Sequence, residues 1–502
     1  MMTQQIVVSK TSKIYAMVGE LLELVDAAVE KQTPLHEVEG DVLTQVLALG
    51  REAVGYVLDK LGSGDVGEEC QLPDGRTLKR SEQPKTREYQ SVFGLFTLER
   101  YVYAQRKGQK AEFIPVDARL ALPESKFSYL LQDFDQHLSM EQPFAQVGQT
   151  IERILGLGQH VDSLERTNRK LAEHVEEFHA QQTPPPAKEE GALLVVTADG
   201  KGVPIRRPAD APAIEDHQHR PGPKPDRKKM ATVASVYSVD RHPRTPKEIV
   251  EALFRRPGEK RPDAKPRPLP QHKRVRASLN HTNAAGESIS GRAAMFGWMN
   301  DEVAARKRGK PLICLMDGEP ALWQELATFF ADRPRIEILD LLHVTPRLWQ
   351  AAHLFCRGEK ATAQFVRQRL TSLLHGEVDG VIRGLRRMAS LRLRGKSRTT
   401  VESICQYFEN NRHRLRYDEY LAAGYPIASG VIEGACRHVV KDRLERTGMN
   451  WIVPGAQAML GLRSIYASGQ WEEFMKSYCA SQTKRIHPHR ESLQALDWCS
   501  AA

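Results

Sequence analysis

Two short apolar stretches that each end in an aspartate decide the fold: LLVVTAD at residues 193–199 and PLICLMD at residues 311–317. A continuous apolar run of this length is typical of a strand that is buried on both faces of a sheet. Further strands are predicted at residues 230–239, 273–279 and 335–340, and helices at residues 288–308 and 321–331. The order strand, strand, strand, helix, strand, helix, strand predicts an α/β fold around a central sheet.

Three acidic residues stand at chemically informative places in this predicted fold. Asp199 and Asp317 end their strands, and Glu433 lies on a predicted helix that begins at Pro426 and continues through Leu444. Because Asp-Gly is also a common turn, either aspartate alone has a purely structural interpretation. Two strand-end aspartates with a later helical glutamate favour a site for two divalent cations, which stabilise both oxygens of a phosphoryl displacement.

The positive charge of the chain is concentrated in two segments. The whole chain carries 72 Lys and Arg against 63 Asp and Glu, a net charge of +9. Residues 220–276 alone hold 17 basic and 6 acidic residues, a difference of +11, together with 10 of the 29 prolines, and residues 383–398 add seven basic residues and no acid. A run of charged residues is often only a solvent-exposed surface. Two basic runs beside one candidate site instead favour contact with nucleic-acid phosphates.

The N-terminal third predicts small separate units. Residues 1–65 repeat apolar side chains at helical spacing, and residues 66–120 form a small β unit with a period near two. Residues 121–182 contain a helix, a Gly-rich turn and a second helix, which is typical of a helix-turn-helix that reads DNA, although an ordinary helical hairpin shows the same pattern. The proposed DNA-contacting residues of the second helix are Arg166, Arg169 and Lys170. TPPPAKEEG at residues 183–191 is a predicted linker.

Four motifs resemble one bacterial group of enzymes. ADGKGVPI, LMDGEPALW, DLLHVTPRLWQAAHLF and GYPIASGVIEGACRHVVKDRLERTGMNW are similar to motifs of ISKra-type insertion-sequence transposases, distant relatives of Mutator-like elements. The resemblance covers residues 190–475 strongly and the N-terminal third loosely. It implies a ribonuclease H-like DDE core, preceded by a mainly helical DNA-binding region. The implied segments are a core at 192–342 and 421–480, a basic Pro-rich insert at about 204–276, an all-helical insertion at 343–420 and a tail at 481–502.

The resemblance also implies the site. Asp199, Asp317 and Glu433 correspond to the catalytic, metal-binding triad, which uses Mg²⁺ and accepts Mn²⁺. Asp340 and His343 match an acidic-x-x-His signature of Mutator-like enzymes, but a helix-capping Asp followed by a packed His gives the same pattern.

Basic residues near the triad are candidates for DNA contact. Arg437 and Lys441 follow Glu433 by four and eight residues, and this spacing places them near one face of a regular helix. An i,i+4 salt bridge between Glu433 and Arg437 is the structural alternative. Lys201, two residues after Asp199, is a weaker candidate for phosphate contact.

The remaining features restrict cofactors, location and partners. Seven scattered cysteines without C-x-x-C spacing, and no apolar run of about 18 residues, predict a cytoplasmic chain with reduced thiols and no membrane span. Relatives of the resembled group often carry paired cysteines before the helix-turn-helix, but residues 100–117 contain none, so we predict no structural zinc.

The expected partners are double-stranded DNA, at element ends and target, and further copies of the chain. The predicted function is a transposase that cuts and joins DNA. The alternatives are a catalytically silent repressor or architectural protein, and a nuclease with the same core that does not join strands.

Overall fold

The computed structural model describes residues 2–106, 108–206, 228–255, 266–283, 285–306 and 309–491, with side chains from residue 11 onward. The chain divides into two compact units, Met1–His174 with Glu472–Ala502, and Val175–Trp471. Residues 207–227 and 256–265, which hold much of the predicted basic insert, lie outside the described residues. Among the described helices, none is both long and apolar enough to cross a membrane.

The first unit begins with two long helices, as the apolar spacing predicted. They are α1 (Met2–Glu30) and α2 (Leu35–Leu61). Five antiparallel strands follow in two small sheets: β1 (Glu69–Gln71), β2 (Thr77–Arg80), β3 (Lys85–Ser91), β4 (Gly94–Arg100) and β5 (Tyr103–Ala104). The apolar core of this β region includes Cys70, Leu78, Tyr103 and Phe113. The predicted change from helical to alternating periodicity is therefore confirmed.

Four helices complete the described N-terminal part of this unit. They are α3 (Pro115–Arg119), α4 (Tyr129–Glu141), α5 (Phe144–Leu155) and α6 (Val161–Ala172). The turn between α5 and α6 passes so close to α5 that a Cβ at Gly148 would lie 2.9 Å from the carbonyl oxygen of Gln159. Gln136 of α4 donates to the Leu164 carbonyl and accepts from Asn168, so a buried polar network fixes α4 against α6.

The second helix of the predicted helix-turn-helix is shorter than its apolar pattern indicated. That pattern continues to Phe178, but α6 ends at Ala172. Val175 and Phe178 belong to a separate helix in the second unit. Sequence periodicity missed this break because both helices bury apolar side chains at similar spacing.

The second unit is an α/β structure around a mixed sheet of five strands. In chain order it contains α7 (Val175–Gln181), β6 (Leu193–Pro204), β7 (Lys228–Val239), α8 (Pro246–Leu253), β8 (Gln271–Leu279), β9 (His281–Thr282), β10 (Ser288–Ile289), α9 (Gly291–Arg306), β11 (Leu312–Met316), α10 (Pro320–Phe329) and β12 (Ile336–Leu339). The strand order is β12-β11-β6-β7-β8. β12, β11 and β6 are mutually parallel, whereas β7 pairs antiparallel with both β6 and β8.

Helices cover both faces of this sheet. Leu194 and Val196 of β6 pack on the side of α9 and α10. Leu193 and Val195 pack on the opposite side, against a helical layer that follows β12. This layer consists of α11 (Leu341–Phe355), α12 (Glu359–Leu374), α13 (Val378–Arg392), α14 (Gly395–Asn410) and α15 (Tyr417–Ala422). The predicted absence of strands from residues 343–420 is confirmed.

The C-terminal part of the second unit returns to the sheet. α16 (Gly430–Ala435) continues through a π-helical turn, Cys436–Lys441, into α17 (Asp442–Leu444), and α18 (Val453–Ala467) follows. α19 (Trp471–Ile486) leads into the first unit. α16 and the π-helical turn both contact β6.

Three of the element boundaries that differ from the sequence predictions affect the site. The helix that carries Glu433 begins at Gly430 rather than Pro426, because Ser429 caps its N-terminus. The helix predicted from residue 288 begins at Gly291, since Ser288–Ile289 pairs with His281–Thr282. β6 does not end at Asp199 but continues to Pro204, because β7 pairs with it along its whole length.

Candidate active site

The sheet register places three aspartates in one row. Cys314 of β11 pairs with Val196 of β6, and Asp317 and Asp199 each lie three residues further along. Met316 pairs with Leu339 of β12, so Asp340 is the next residue in register with Asp317. Side chains in register on parallel strands point to the same face, and neighbouring strands lie about 4.8 Å apart. The fold therefore lines up Asp199, Asp317 and Asp340 where the parallel strands end.

Asp199 lies inside β6, at the point where that strand continues beyond β11. Its Oδ1 atom accepts a hydrogen bond from the amide of Gly200 at 2.7 Å. Its Oδ2 atom accepts from the Cys436 thiol at 3.6 Å. Burial, and secondarily the Asp199 charge, raise the pKa of the Cys436 thiol, which therefore stays protonated and able to donate. The helix after Ser429 is thus held directly over Asp199.

Asp317 is contacted from the helical insertion. Its Oδ1 atom accepts a hydrogen bond from the Tyr407 hydroxyl of α14 at 3.0 Å. Its Oδ2 atom lies 3.4 Å from Nδ1 of His343. Burial, followed by the Asp317 charge, raises the pKa of Tyr407, so the phenol remains a donor. Both carboxylate oxygens are therefore oriented by side chains from the helical layer.

Tyr407 is itself tightly positioned. The guanidinium of Arg347 lies 3.5 Å from the centre of its ring. A Cβ at Gly318 would collide with the same ring, so only glycine allows this approach. The glycine of the Asp-Gly pair thus has a packing role that its sequence context did not reveal.

Asp340 is the N-cap of α11, and His343 does more than pack beside it. Asp340 Oδ1 accepts from the amide of Leu342 at 2.9 Å and from the amide of Ser429 at 3.3 Å. Burial raises the pKa of Asp340 to about 6, and the neighbouring charge of Glu433 contributes in the same direction. Asp340 therefore caps a helix, as the structural alternative predicted. His343, in contrast, contacts the carboxylate of Asp317.

Ser429 connects these elements. Its hydroxyl lies 3.1 Å from the hydroxyl of Thr197 on β6, and its side chain caps α16 through the amide of Ile432. Thr197 and Ser429 are both fully buried. This link fixes the start of α16 against the strand that carries Asp199.

Glu433 lies one helical turn before Cys436 and is exposed. Its charge contributes in the same direction as burial to the raised pKa values of Asp340 and Cys436. Within the described part of the chain, no three His, Cys, Asp or Glu side chains are close enough to share a metal ion. The donors are nonetheless carboxylate oxygens, the type that Mg²⁺ prefers.

The basic residues predicted beside the triad occupy different positions. Lys201 lies on the extended part of β6, 3.9 Å from Glu445. Arg437 is 70% exposed and pairs with Asp442 at 3.4 Å rather than with Glu433. Lys441 is exposed at the end of the π-helical turn. Because a π-helix bonds i to i+5, the assumption that Glu433, Arg437 and Lys441 share one face of a regular helix is wrong.

In the first unit, the basic side chains of α6 differ in their exposure to solvent. Arg166 and Arg169 are exposed, whereas Lys170 is half-buried. Lys170 also forms an ion pair with Glu173 at 2.8 Å. Arg166 and Lys170 line a cavity of about 440 Å³ together with Lys126 and Tyr129.

Sequence reasoning missed Tyr407, Thr197, Ser429 and Cys436. Cys436 had a local signal, because it follows Glu433 by three residues and so shares its helix face. Thr197 had a similar signal, two residues before Asp199 on the same strand face. Tyr407 had none, since its contact with Asp317 spans 90 residues.

Comparison with known proteins gives little further information. No protein-family model and no curated protein matches this chain. Among solved structures, a Drosophila P element transposase strand transfer complex is similar over 77% of this chain and 87% of that chain, with 12% sequence identity and a TM-score of 0.23. A similarity this low carries no argument about the activity of this chain, which must be inferred from its own residues.

Proposed function

We propose that this protein is a DDE transposase of an insertion sequence, with Asp199, Asp317 and Glu433 as its catalytic residues. The observation that carries the proposal is that Asp199 and Asp317 each follow, by three residues, a pair of residues that are in register on neighbouring parallel strands. Two turn-forming aspartates 118 residues apart have no reason to occupy one row of a sheet. The mixed five-stranded sheet, with helices on both faces, supports the ribonuclease H-like core that the sequence motifs imply.

The three carboxylates have the chemistry to hold divalent cations. Asp199, Asp317 and Glu433 would ligate Mg²⁺ or Mn²⁺, which supply activation of the attacking hydroxyl and charge neutralisation at the leaving oxygen. Asp199 lies on β6 and Asp317 directly follows β11, whereas Glu433 is exposed on a short helix.

Other side chains around the proposed catalytic residues have supporting roles. Tyr407 and His343 orient the two oxygens of Asp317. Asp340, buried and bonded to two backbone amides, holds α11 and the start of α16 in place. Arg437 and Lys441, exposed on the π-helical turn after Glu433, would supply positive charge for the phosphates of bound DNA. The protein thus mainly positions groups and neutralises charge.

The proposed DNA-binding surface of the first unit is the exposed side of α6. Arg166 and Arg169 are open to solvent there, while the apolar side of the helix packs against α4 and α5. A helix with exposed basic residues and a buried apolar side suits the major groove. Double-stranded element ends and target DNA are the proposed ligands.

The test is cleavage of the DNA that flanks the gene. A plasmid that carries both flanks is incubated with purified protein and Mg²⁺ or Mn²⁺, with Glu433→Gln in parallel. Metal-dependent cuts at inverted repeats, followed by strand joining and absent from the variant, are expected. Cuts without joining would indicate a nuclease, and binding by folded protein without cuts would indicate a silent DNA-binding protein; either result would overturn the proposal.

A further inference from the structure

The helical hairpin formed by α1 and α2 leaves an unusual amount of apolar surface open. On α1, five large apolar residues are between 38% and 74% exposed: Tyr15, Val18, Leu22, Val25 and Val29. Four more are exposed on or next to α2: Leu35, Leu43, Val46 and Val57. These nine make up almost half of the 19 exposed large apolar residues among the described part of the chain, although the hairpin is only about a tenth of its length.

The five residues of α1 form a regular stripe. Their spacing is three, four, three and four residues, the heptad pattern of helices that pack side by side. A second row on α1 with the same spacing, which includes Ile14, Met17 and Leu21, is half-buried. α1 and α2 pack against each other, so one apolar row of α1 is used within the hairpin and the adjacent row is open.

Packing within the hairpin buries little of its apolar surface. No residue of α2 is buried, and no described residue of α1 is buried either. In a chain of this size, most helical stability comes from packing of an apolar face. Two long helices whose described side chains are all at least partly exposed would therefore gain stability by packing against a further apolar surface.

The amount of open surface fits a second copy of this chain. Taking roughly 150–200 Å² for a whole Val, Leu or Tyr residue, the nine residues expose on the order of 800 Å², the area that each partner contributes to a standard dimer interface. A heptad stripe packs best against another heptad stripe, and across a two-fold axis the same stripe meets itself. No charged residue interrupts the five positions of the stripe.

We infer that α1 and α2 dimerise the protein, with the α1 stripe of each copy packed against the α1 stripe of the other across a two-fold axis. The resulting contact is a four-helix arrangement of two hairpins, in which Leu22 lies at the centre of the stripe. Dimerisation through these helices does not depend on the proposed cleavage chemistry, because all the residues that carry it lie between positions 15 and 57.

The test is the mass of the full chain in solution. Sedimentation velocity should give twice 56.6 kDa, about 113 kDa, for the wild type and 56.6 kDa for the double variant Leu22→Glu and Val29→Glu. Leu391→Glu is the matched control, because Leu391 is 75% exposed on α13 in the second unit; it should remain dimeric. A monomeric wild type, or a double variant that stays dimeric, would overturn the inference.

Misfolding of the double variant is distinguished by a second measurement. Leu22→Cys places a thiol at the centre of the stripe, and mild oxidation should produce a covalent dimer well above the background of the native cysteines in the wild type. The same substitution at Glu23, an exposed neighbour outside the stripe, should give less cross-linked dimer. Equal cross-linking at the two positions would contradict packing through the stripe.

Discussion

Asp199 and Asp317 occupy matching positions on neighbouring parallel strands, because Val196 pairs with Cys314 and each aspartate lies three residues further along. Strand pairing up to Val196 and Cys314 therefore brings both aspartates to the same edge of the sheet. A two-cation site needs ligands that lie together, since its charges must be in place before the phosphate arrives.

Substitution of Asp317 by Asn should remove cleavage and leave DNA binding. The amide oxygen can still accept from Tyr407, so the local structure is retained, but the charge needed by a divalent cation is lost. We expect the cleavage rate to fall roughly 10³-fold or more, with the dissociation constant for an element end unchanged within about threefold. Gel-shift and cleavage assays on the same DNA measure both. Retained cutting would remove Asp317 from the catalytic residues.

Substitution of Tyr407 by Phe should lower the affinity of the site for Mg²⁺. The ring can still stack with Arg347 and cover Gly318, but Asp317 loses the hydroxyl that orients one of its oxygens. Loss of a partner that orients a metal ligand typically costs 10–100-fold in metal affinity. We therefore expect a rise of about tenfold in the Mg²⁺ concentration for half-maximal cleavage.

A matched control exists for Tyr407→Phe. Tyr420→Phe removes a hydroxyl that donates to the backbone carbonyl of Glu337. Its metal dependence should equal that of the wild type, even if its stability is lower. A similar shift in both variants would show that Tyr407 acts only through the stability of the helical layer.

Asp135 should make the first unit less stable as the pH rises. Burial on α4 raises the pKa of Asp135 to about 7, and its Oδ1 atom has no hydrogen-bond partner within the described residues. Since the folded-state pKa exceeds the ordinary value of 3.8 for an aspartate, stability is full below about pH 4 and is lost as the pH rises to about 7.

Asp135→Asn should remove this dependence. At about 1.4 kcal/mol for each pKa unit, the variant should gain on the order of 4 kcal/mol over the wild type at pH 8 and far less near pH 4. Hydrogen exchange of the α4 amides measures the free energy of opening at each pH. An advantage for Asp135→Asn that is the same at pH 4 and pH 8 would contradict the raised pKa.

DNA affinity should depend more on Arg166 and Arg169 than on Lys170. The two arginines are exposed, whereas Lys170 already pairs with Glu173. Replacing both arginines by Ala should weaken binding and reduce the slope of log affinity against log salt by about two, since each phosphate contact contributes about one. Lys170→Ala should change the slope less. An unchanged slope for the double variant would place the DNA-binding surface elsewhere.

The part of the site that local patterns control could be predicted from the sequence. The apolar runs identified β6 and β11, and the position of Asp317 after its strand is as predicted. Glu433 lies on a helix, as its apolar spacing indicated. β8 also forms despite its charged residues, because β7 lies beside it and pairs with its backbone through hydrogen bonds.

The features that long-range packing controls could not be predicted. Gly200 and Gly202 indicate a turn after Asp199, but pairing with β7 keeps that segment extended. The π-helical turn at Cys436–Lys441 has no sequence signature comparable to a heptad. The contact of Tyr407 with Asp317 depends on how α14 packs against the sheet.

The most direct test of the central claim is the metal preference of Asp317→Cys. Mg²⁺ prefers oxygen ligands and accepts sulfur poorly, whereas Mn²⁺ tolerates sulfur better. If Asp317 ligates the cation, this variant should lose cleavage of the flanking DNA with Mg²⁺ and recover part of it with Mn²⁺, while Asp317→Ser recovers none. Cleavage at the wild-type rate with Mg²⁺, or an equal loss with both metals, would contradict metal ligation by Asp317.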